Sequence, residues 1–307
     1  MRLLRCFLLV SIMLDIAASE DVSSPRLVIW RGKEEQAFSS REYNTAEFNR
    51  AVMSWNCTGN ASFELEVNGE RFVMGNWSEK PESKKATGVD VDTLVLKTSA
   101  KSFRFHVKPE KGTAVTLVAV TFWMNSDKGT YSEKRSPAWG KTLPVPERSQ
   151  GIEQKDPGSI CSPTSLSMVL DFHGFKKTTR EVADGVYDHG EKIYGNWVFN
   201  TAFAHRLTGQ EAYVVRANSF EELEAEIAAG RPAVTSHRWS AGDLSNGSIN
   251  STNGHLIAVV GFTDDGDVVV NDPAAKPGGV RRVYKRREFF KTWLEKASGI
   301  MYVVQGK

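Results

Sequence analysis

The sequence predicts an α+β protein: an N-terminal all-β sandwich, then a second domain in which helices precede an antiparallel sheet. Two observations carry this. Short β-branched and aromatic runs separated by turn formers fill residues 26 to 123, and capped helical patterns fill residues 161 to 229 before strand-like runs resume.

In the first part the runs Leu27–Trp30, Ser62–Val67, Arg71–Met74, Thr93–Leu96, Ser102–Val107 and Thr116–Trp123 read as strands. Asn68-Gly69 joins two of them and is a hairpin signal, because both residues tolerate the left-handed backbone of a tight turn. Repeated short strands with polar turns are the pattern of a sandwich. Residues 125 to 148 shift to Ser, Gly, Lys and Pro, including Pro137, Pro144 and Pro146, and read as a linker. The expected division is therefore a leader at 1–19, a β-domain at 20–124, the linker at 125–148 and a second domain at 149–307.

In the second part a helix is expected from Cys161 to about His173-Gly174, with Pro163 in its first turn. Thr178 and Glu181 open another, and Asn196 caps a third that Gly209 ends. Ser219 and Glu222 form a capping-box pattern ahead of a fourth. Strands follow at Ala233–Ser236, His255–Phe262, Asp267–Val270, Val280–Tyr284 and Ile300–Val304, with a last helix near Glu288–Lys296.

Charge is balanced, 39 Lys and Arg against 37 Asp and Glu in 307 residues, so no nucleic-acid partner is implied. The clusters Arg281-Arg282 and Lys285-Arg286-Arg287 read as solvated charge. Arg2 and Arg5, the apolar stretch Cys6–Ile16 and the small residues Ala17-Ala18-Ser19 have the form of a signal peptide. The expected destination is secreted or periplasmic, with no integral membrane segment after cleavage, since the apolar run is short for a bilayer span. Removing the leader leaves Cys57 and Cys161 of the three cysteines, which either pair or remain free. Sequons occur at Asn56, Asn60, Asn76, Asn246 and Asn250.

The chemistry concentrates around Cys161. A cysteine at a helix start meets free N–H groups and the positive end of the helix dipole, both of which favour the thiolate. His255 begins an apolar strand, and Asp272 follows the next one. A hairpin turning at Asp264-Asp265-Gly266 brings those two strand ends side by side, so Asp272 falls next to His255. A carboxylate there orients the imidazole and stabilises the imidazolium that forms when the thiol gives up its proton. Upstream, Gln150 is the better placed amide for an oxyanion donor, with Gln154 the alternative. Trp197, Asn200 and Trp239 are candidate substrate-binding residues, the last in a lid-like loop. His106, His173, His189, His205 and His237 lack metal-ligand spacing, so neither metal nor cofactor is expected.

Ser149-Gln150, Cys161-Ser162-Pro163-Thr164-Ser165, Tyr194-Gly195-Asn196-Trp197, Ala229-Gly230-Arg231-Pro232, Gly254-His255-Leu256 and Asn271-Asp272-Pro273 occur in this order. Residues 146 to 304 thereby resemble papain-like cysteine peptidase family 39, relatives of the peptidase domains that process double-glycine leaders of bacteriocins. The resemblance implies a papain-like α+β domain with Cys161 as nucleophile, His255 as base, Asp272 as orienting acid and Gln150 as oxyanion donor. The sequence contains neither a transporter membrane domain nor an ATP-binding motif, which points to a stand-alone secreted branch. The expected function is a secreted cysteine peptidase or amide hydrolase acting on a peptide or protein through a thioester. Acyl transfer shares the same residue order. The alternative is a catalytically silent papain-like protein whose β-sandwich binds cell-envelope glycan, with Trp30, Trp55, Trp77 and Trp123 as the candidate sugar platform.

Overall fold

Alternation of side chains sets the first half of the chain. In the computed structural model, which describes residues 21–24 and 26–306, β5 (Ala61–Val67) buries every second residue and leaves the others half-buried. It turns through Asn68 and Gly69, both at positive φ, into β6 (Glu70–Trp77), as a tight hairpin requires. The remaining strands here are β1 (Asp21–Ser24), β2 (Leu27–Glu34), β3 (Phe38–Ser39), β4 (Tyr43–Cys57), β7 (Val89–Asp90), β8 (Thr93–Pro109) and β9 (Val115–Trp123). They form one connected antiparallel network in the order β1-β2-β9-β4-β8-β5-β6, with β3 and β7 pairing onto β8. The leader lies outside the described residues.

The short strands β1, β3 and β7 are absent from the expected strand list, and two larger features also depart from it. The runs at 93–96 and 102–107 are parts of one long strand, β8. The 15-residue β4 has no counterpart in that list. Its asparagines at 44, 49 and 56 are poor strand formers, and register shifts between Asn44 and Arg50 break the alternation that marks a strand.

The second half contains α1 (Cys161–Phe172), α2 (Thr179–Val186), α3 (Trp197–Thr208), β10 (Ala212–Arg216), α4 (Phe220–Ala228), β11 (Ala233–Trp239), β12 (Thr252–Phe262), β13 (Val268–Asn271), β14 (Arg281–Tyr284), α5 (Arg286–Phe290) and β15 (Ile300–Val304). One π-helical turn, Lys291–Glu295, continues α5. The sheet runs β10-β15-β11-β12-β13-β14, all antiparallel, so the protein is a sheet-rich mixture of helix and strand. Thr178 and Glu181 form a reciprocal capping box, and the Asn196 carboxamide oxygen accepts the N–H groups of Val198 and Phe199 at 3.1 Å. The Ser219 box does not form. Glu222 accepts the Asn218 N–H at 2.7 Å instead, and Ser219 makes no side-chain cap bond. The five-residue β10, between two helices, is also absent from the expected strands.

That short strand joins the two halves. One edge of β10 pairs with β15. Along the other edge, the N–H groups of Ala212, Val214 and Arg216 donate to Asn56 Oδ1 (3.0 Å), Ser54 Oγ (3.1 Å) and Thr121 Oγ1 (3.0 Å). Asn56 Nδ2 returns a bond to the Ala212 carbonyl at 2.6 Å. Side chains of β4 and β9 thus take the place of a neighbouring strand, and the edge is satisfied without one. Apolar side chains from both halves belong to one continuous core, in which Trp55 stacks on Phe63 at 4.0 Å and meets Phe199 of α3 edge-on. The expected linker lies against the second half, with bridges from Thr130 to Ser219, Trp139 to Phe262 and Thr142 to Gly261.

Burial and cysteine pairing bear on three sequence readings. Trp30, Trp55, Trp77 and Trp123 are all core residues, so they present no sugar-binding platform. The Asn56 side chain is fully buried in the contact with β10, which withdraws that sequon from modification in the folded protein. Cys57 and Cys161 are both free thiols. Burial pushes the Cys57 thiol up to about 12, and the S–H donates to the Gly59 carbonyl at 3.2 Å, so it is inert. No helix among the described residues is long and apolar enough to cross a membrane.

Replacing Asn56 by Ala leaves a buried N–H and a buried C=O of Ala212 unpaired. We expect the unfolding free energy in urea to fall by about 2–6 kcal/mol, at about 1–3 kcal/mol for each of the two unsatisfied buried polar groups. A loss below about 0.5 kcal/mol, the size of an ordinary surface change, would show that this contact is dispensable.

Candidate active site

Three neighbouring parts of the second half meet at one point. α1 opens with Cys161 itself, a partly exposed residue, and the N–H groups of Ser162 and Leu256 are directed at its sulfur. His255 stands near the start of β12, buried, and hydrogen-bonds the thiol. β13 pairs with β12 through Ala258 opposite Asn271, so the next residue, Asp272, reaches back to the histidine. His255 Nε2 lies 2.8 Å from Asp272 Oδ1, which leaves Nδ1 as the nitrogen facing the sulfur. The strand-end argument from sequence therefore brings His255 and Asp272 into direct contact.

Asp272 is fully buried, and a buried carboxylate is tolerable only with donors around it. The Ala274 N–H (2.9 Å) donates to Oδ1, while the Ser248 hydroxyl (2.7 Å) and the Tyr284 hydroxyl donate to Oδ2. Burial opposes its ionisation, but the charge and hydrogen bond of His255, with those two hydroxyls, hold the carboxyl well below its usual range. Burial likewise disfavours the imidazolium of His255. Asp272 on one side and the thiolate on the other outweigh it and raise the histidine above its ordinary value. For Cys161, burial raises the thiol, yet the hydrogen bond and charge of His255, together with the N–H groups of Leu256 and Ser162, bring it below the ordinary thiol range. The three shifts have one cause: each charge is stabilised by the next.

Further side chains fix the histidine. The Trp239 ring packs edge-on against it at 5.6 Å and an interplanar angle of 77°, and the Trp239 Nε1–H donates to the Ile249 carbonyl at 3.2 Å. His237, opposite His255 in the β11–β12 pairing, bonds through its ring nitrogens with Thr235 and Thr292. Burial pushes His237 down to about 3, helped by the charge of His255, so it is neutral and adds no second charge.

Gln150 lies in a 3₁₀ turn, Gln150–Ile152, tied to the turn that bears Asp272. Its N–H donates to the Pro273 carbonyl (2.8 Å), and the Ser149 hydroxyl donates to the Ala275 carbonyl (2.6 Å). The Gln150 Nε2 donates one hydrogen to the Pro157 carbonyl at 2.8 Å and retains a second. Gln154 is exposed.

Cys161 opens into a cleft of about 660 Å³, lined on its own side by residues including Tyr194, Trp197 and Gly254. The opposite wall comes from the N-terminal half: Arg50, the hairpin tip Asp90 to Thr93, and Trp123. Of the three expected substrate-binding residues, Trp197 lines this cleft. Asn200 does not; it is fully buried, and its amide braces the preceding loop through the carbonyls of Tyr194 and Asn196. Trp239 is buried behind His255, so it supports the imidazole and does not belong to an exposed lid. Sequence reasoning missed Ser248, Tyr284 and the hairpin tip, because their contacts with the site are tertiary and no local pattern marks them. Among the described residues no group of three or more His, Cys, Asp or Glu is arranged to hold a metal.

The model of the Peptidase_C39 like family matches residues 142–300, just over half of the chain. No curated protein matches. Among solved structures, the chain is similar to a C39-like peptidase from Bacillus anthracis (20% identity, TM-score 0.42), over 54% of this chain and 98% of that one. It is also similar to a double glycine motif protease from an AMS/PCAT transporter (19%, TM-score 0.36, 55% and 95% covered) and to the peptidase domain of Streptococcus ComA (15%, 0.36, 54% and 98%). With the family model spanning α1, β12 and β13, the chain belongs to the Peptidase_C39 like family.

Proposed function

We propose that this protein is a secreted cysteine peptidase or amide hydrolase working through Cys161, His255 and Asp272. The observation that carries this is a thiol at a helix start, bonded to a histidine whose far nitrogen is held by a buried carboxylate. Secretion is read from the leader sequence. β8 pairs with β4 over residues 93–103 and with β5 over residues 104–109, which supports a two-layered, sandwich-like N-terminal domain ahead of the peptidase domain.

In this reading the resting pair is thiolate and imidazolium. The Cys161 sulfur attacks the scissile carbonyl carbon, and its electron pair moves onto oxygen. The carbonyl re-forms as the C–N bond breaks, and the His255 Nδ1 proton goes to the departing amine, leaving a thioester. His255, now neutral, takes a proton from water; the hydroxide adds to the thioester, and the acid leaves as the thiolate is regenerated. Asp272 keeps Nε2 protonated and the ring oriented throughout. The Cys161 backbone N–H and the second Nε2 hydrogen of Gln150 are the proposed oxyanion donors. An amine acceptor in place of water would give acyl transfer by the same steps. The glycan-binding alternative is disfavoured by the burial of the four tryptophans on which it rests.

Iodoacetamide should alkylate Cys161 rapidly well below the ordinary thiol range of about 8.5, and His255→Ala should restore an ordinary thiol profile. Slow labelling with an ordinary profile in the unmodified protein would contradict the proposal. Once a cleaved peptide is in hand, Gln150→Ala should lower kcat by about 10²- to 10³-fold, the cost of one oxyanion donor, with little change in alkylation. An unchanged kcat would remove Gln150 from the mechanism. Asp272 also predicts a pH dependence of stability. Its folded-state value lies below the unfolded one of roughly 4, so its contribution is fully present above that pH and is lost progressively as pH falls from there toward the lower folded value. Urea unfolding should therefore show a steeper loss of stability between roughly pH 5 and 3 in the unmodified protein than in Asp272→Asn. Equal slopes would show that the carboxylate is not held down by the fold.

A further inference from the structure

The cleft has a composition that its catalytic residues do not explain. Six charged side chains line it: Arg50, Asp90, Asp92, Lys192, Arg238 and Lys296. Three of them are already answered within the protein. Asp90 pairs with Lys85 at 3.0 Å, and Lys296 is bound to Asp243. Asp92 is buried, accepting the Trp197 N–H and the Thr93 hydroxyl, and burial pushes its carboxyl up to about 7, so its charge is only partial at neutral pH and is met by those donors. The other three cations have no carboxylate partner among the described residues. Among the described residues, the Arg50 side chain donates only to the Asn49 carbonyl, that of Arg238 only to the Asn253 carbonyl, and that of Lys192 makes neither hydrogen bond nor ion pair.

The wall that brings Arg50 into the cleft is held firmly. At the adjacent hairpin tip Val91 has φ 61°, a left-handed conformation that is unfavourable for a β-branched residue. The bond from Trp197 N–H to Asp92 anchors this tip to the first residue of α3, and Asp188 adds a second link by accepting the Ser83 N–H at 3.0 Å. Strain retained at a fixed tip facing the nucleophile is consistent with a recognition surface. Trp123, beside it, has a buried indole N–H without a partner.

We propose that the cleft receives an acidic peptide segment, whose carboxylates are met by Arg50 from the N-terminal β-domain and by Lys192 and Arg238 from the peptidase domain. This rests on the hydrolase reading, since the segment is the substrate's. The β-domain is then part of the specificity site. An arginine guanidinium offers paired donors to a carboxylate, and a cleft of one sign draws in the opposite charge with a strong dependence on salt.

The test uses binding, which does not require turnover. Full-length mature protein carrying Cys161→Ala is titrated with fluorescein-labelled peptide pools randomised at uncharged positions, with fixed positions occupied by Glu, Gln or Lys. The Glu pools should bind about tenfold more tightly than the Gln pools, with the difference shrinking as salt rises. Arg50→Gln should reduce that preference, Arg50→Lys should largely restore it, and Arg50→Glu should abolish it. Equal or tighter binding of the Gln or Lys pools, or no binding by any pool, would overturn the proposal. The same pools are then incubated with unmodified enzyme and read by mass spectrometry. Cleavage without acidic preference overturns the substrate class alone. Acidic preference in binding, with no cleavage and an ordinary thiol profile, overturns the hydrolase reading alone.

Discussion

The edge of β10 is the constraint on which the arrangement depends. A sheet edge exposes N–H and C=O groups that must be satisfied, and here Asn56, Ser54 and Thr121 satisfy them from the face of the N-terminal strands. Each such bond is worth only about 1 kcal/mol net, but leaving its partner unpaired in the core costs more. The continuous core behind these bonds removes water from between the halves. A fixed relation between the halves follows, and with it a cleft whose nucleophile and facing wall come from different parts of the chain.

Within the cleft, burial and charge oppose each other, and pairing decides the outcome. Alone, burial would keep Cys161 a thiol, His255 neutral and Asp272 protonated. Linked in order, the charged forms support one another, and the surrounding donors complete the compensation. Ser248, Tyr284 and the Ala274 N–H serve the carboxylate; the Ser162 and Leu256 N–H groups serve the sulfur. The neighbouring His237 remains neutral between two threonines, so no like charge competes with His255.

The contact between His255 and Asp272 was legible in the sequence because a hairpin has only one antiparallel geometry, and both residues sit at strand ends. The start of α1 at Cys161, the box of Thr178 with Glu181 and the cap of Asn196 were legible because helix ends are written in local residue types. β4 was not, since its bulges interrupt the alternation by which a strand is recognised. The Ser219 box that the sequence pattern suggests does not form, because Glu222 accepts the N–H one residue earlier. Asn200 and Trp239 were misassigned for a related reason: sequence proximity to a site does not say which way a side chain faces. The far wall of the cleft was beyond local reasoning, because Arg50 meets Cys161 only through the packing of two sheets.

The most direct test of the central claim is the protonation state of His255 in the resting protein, read by nitrogen NMR at neutral pH. The account predicts an imidazolium, protonated at both ring nitrogens, whose pKa falls in Cys161→Ala as the thiolate is removed. A neutral ring in the unmodified protein, titrating near the ordinary histidine value of about 6.5, would contradict a thiolate–imidazolium pair and the mechanism built on it.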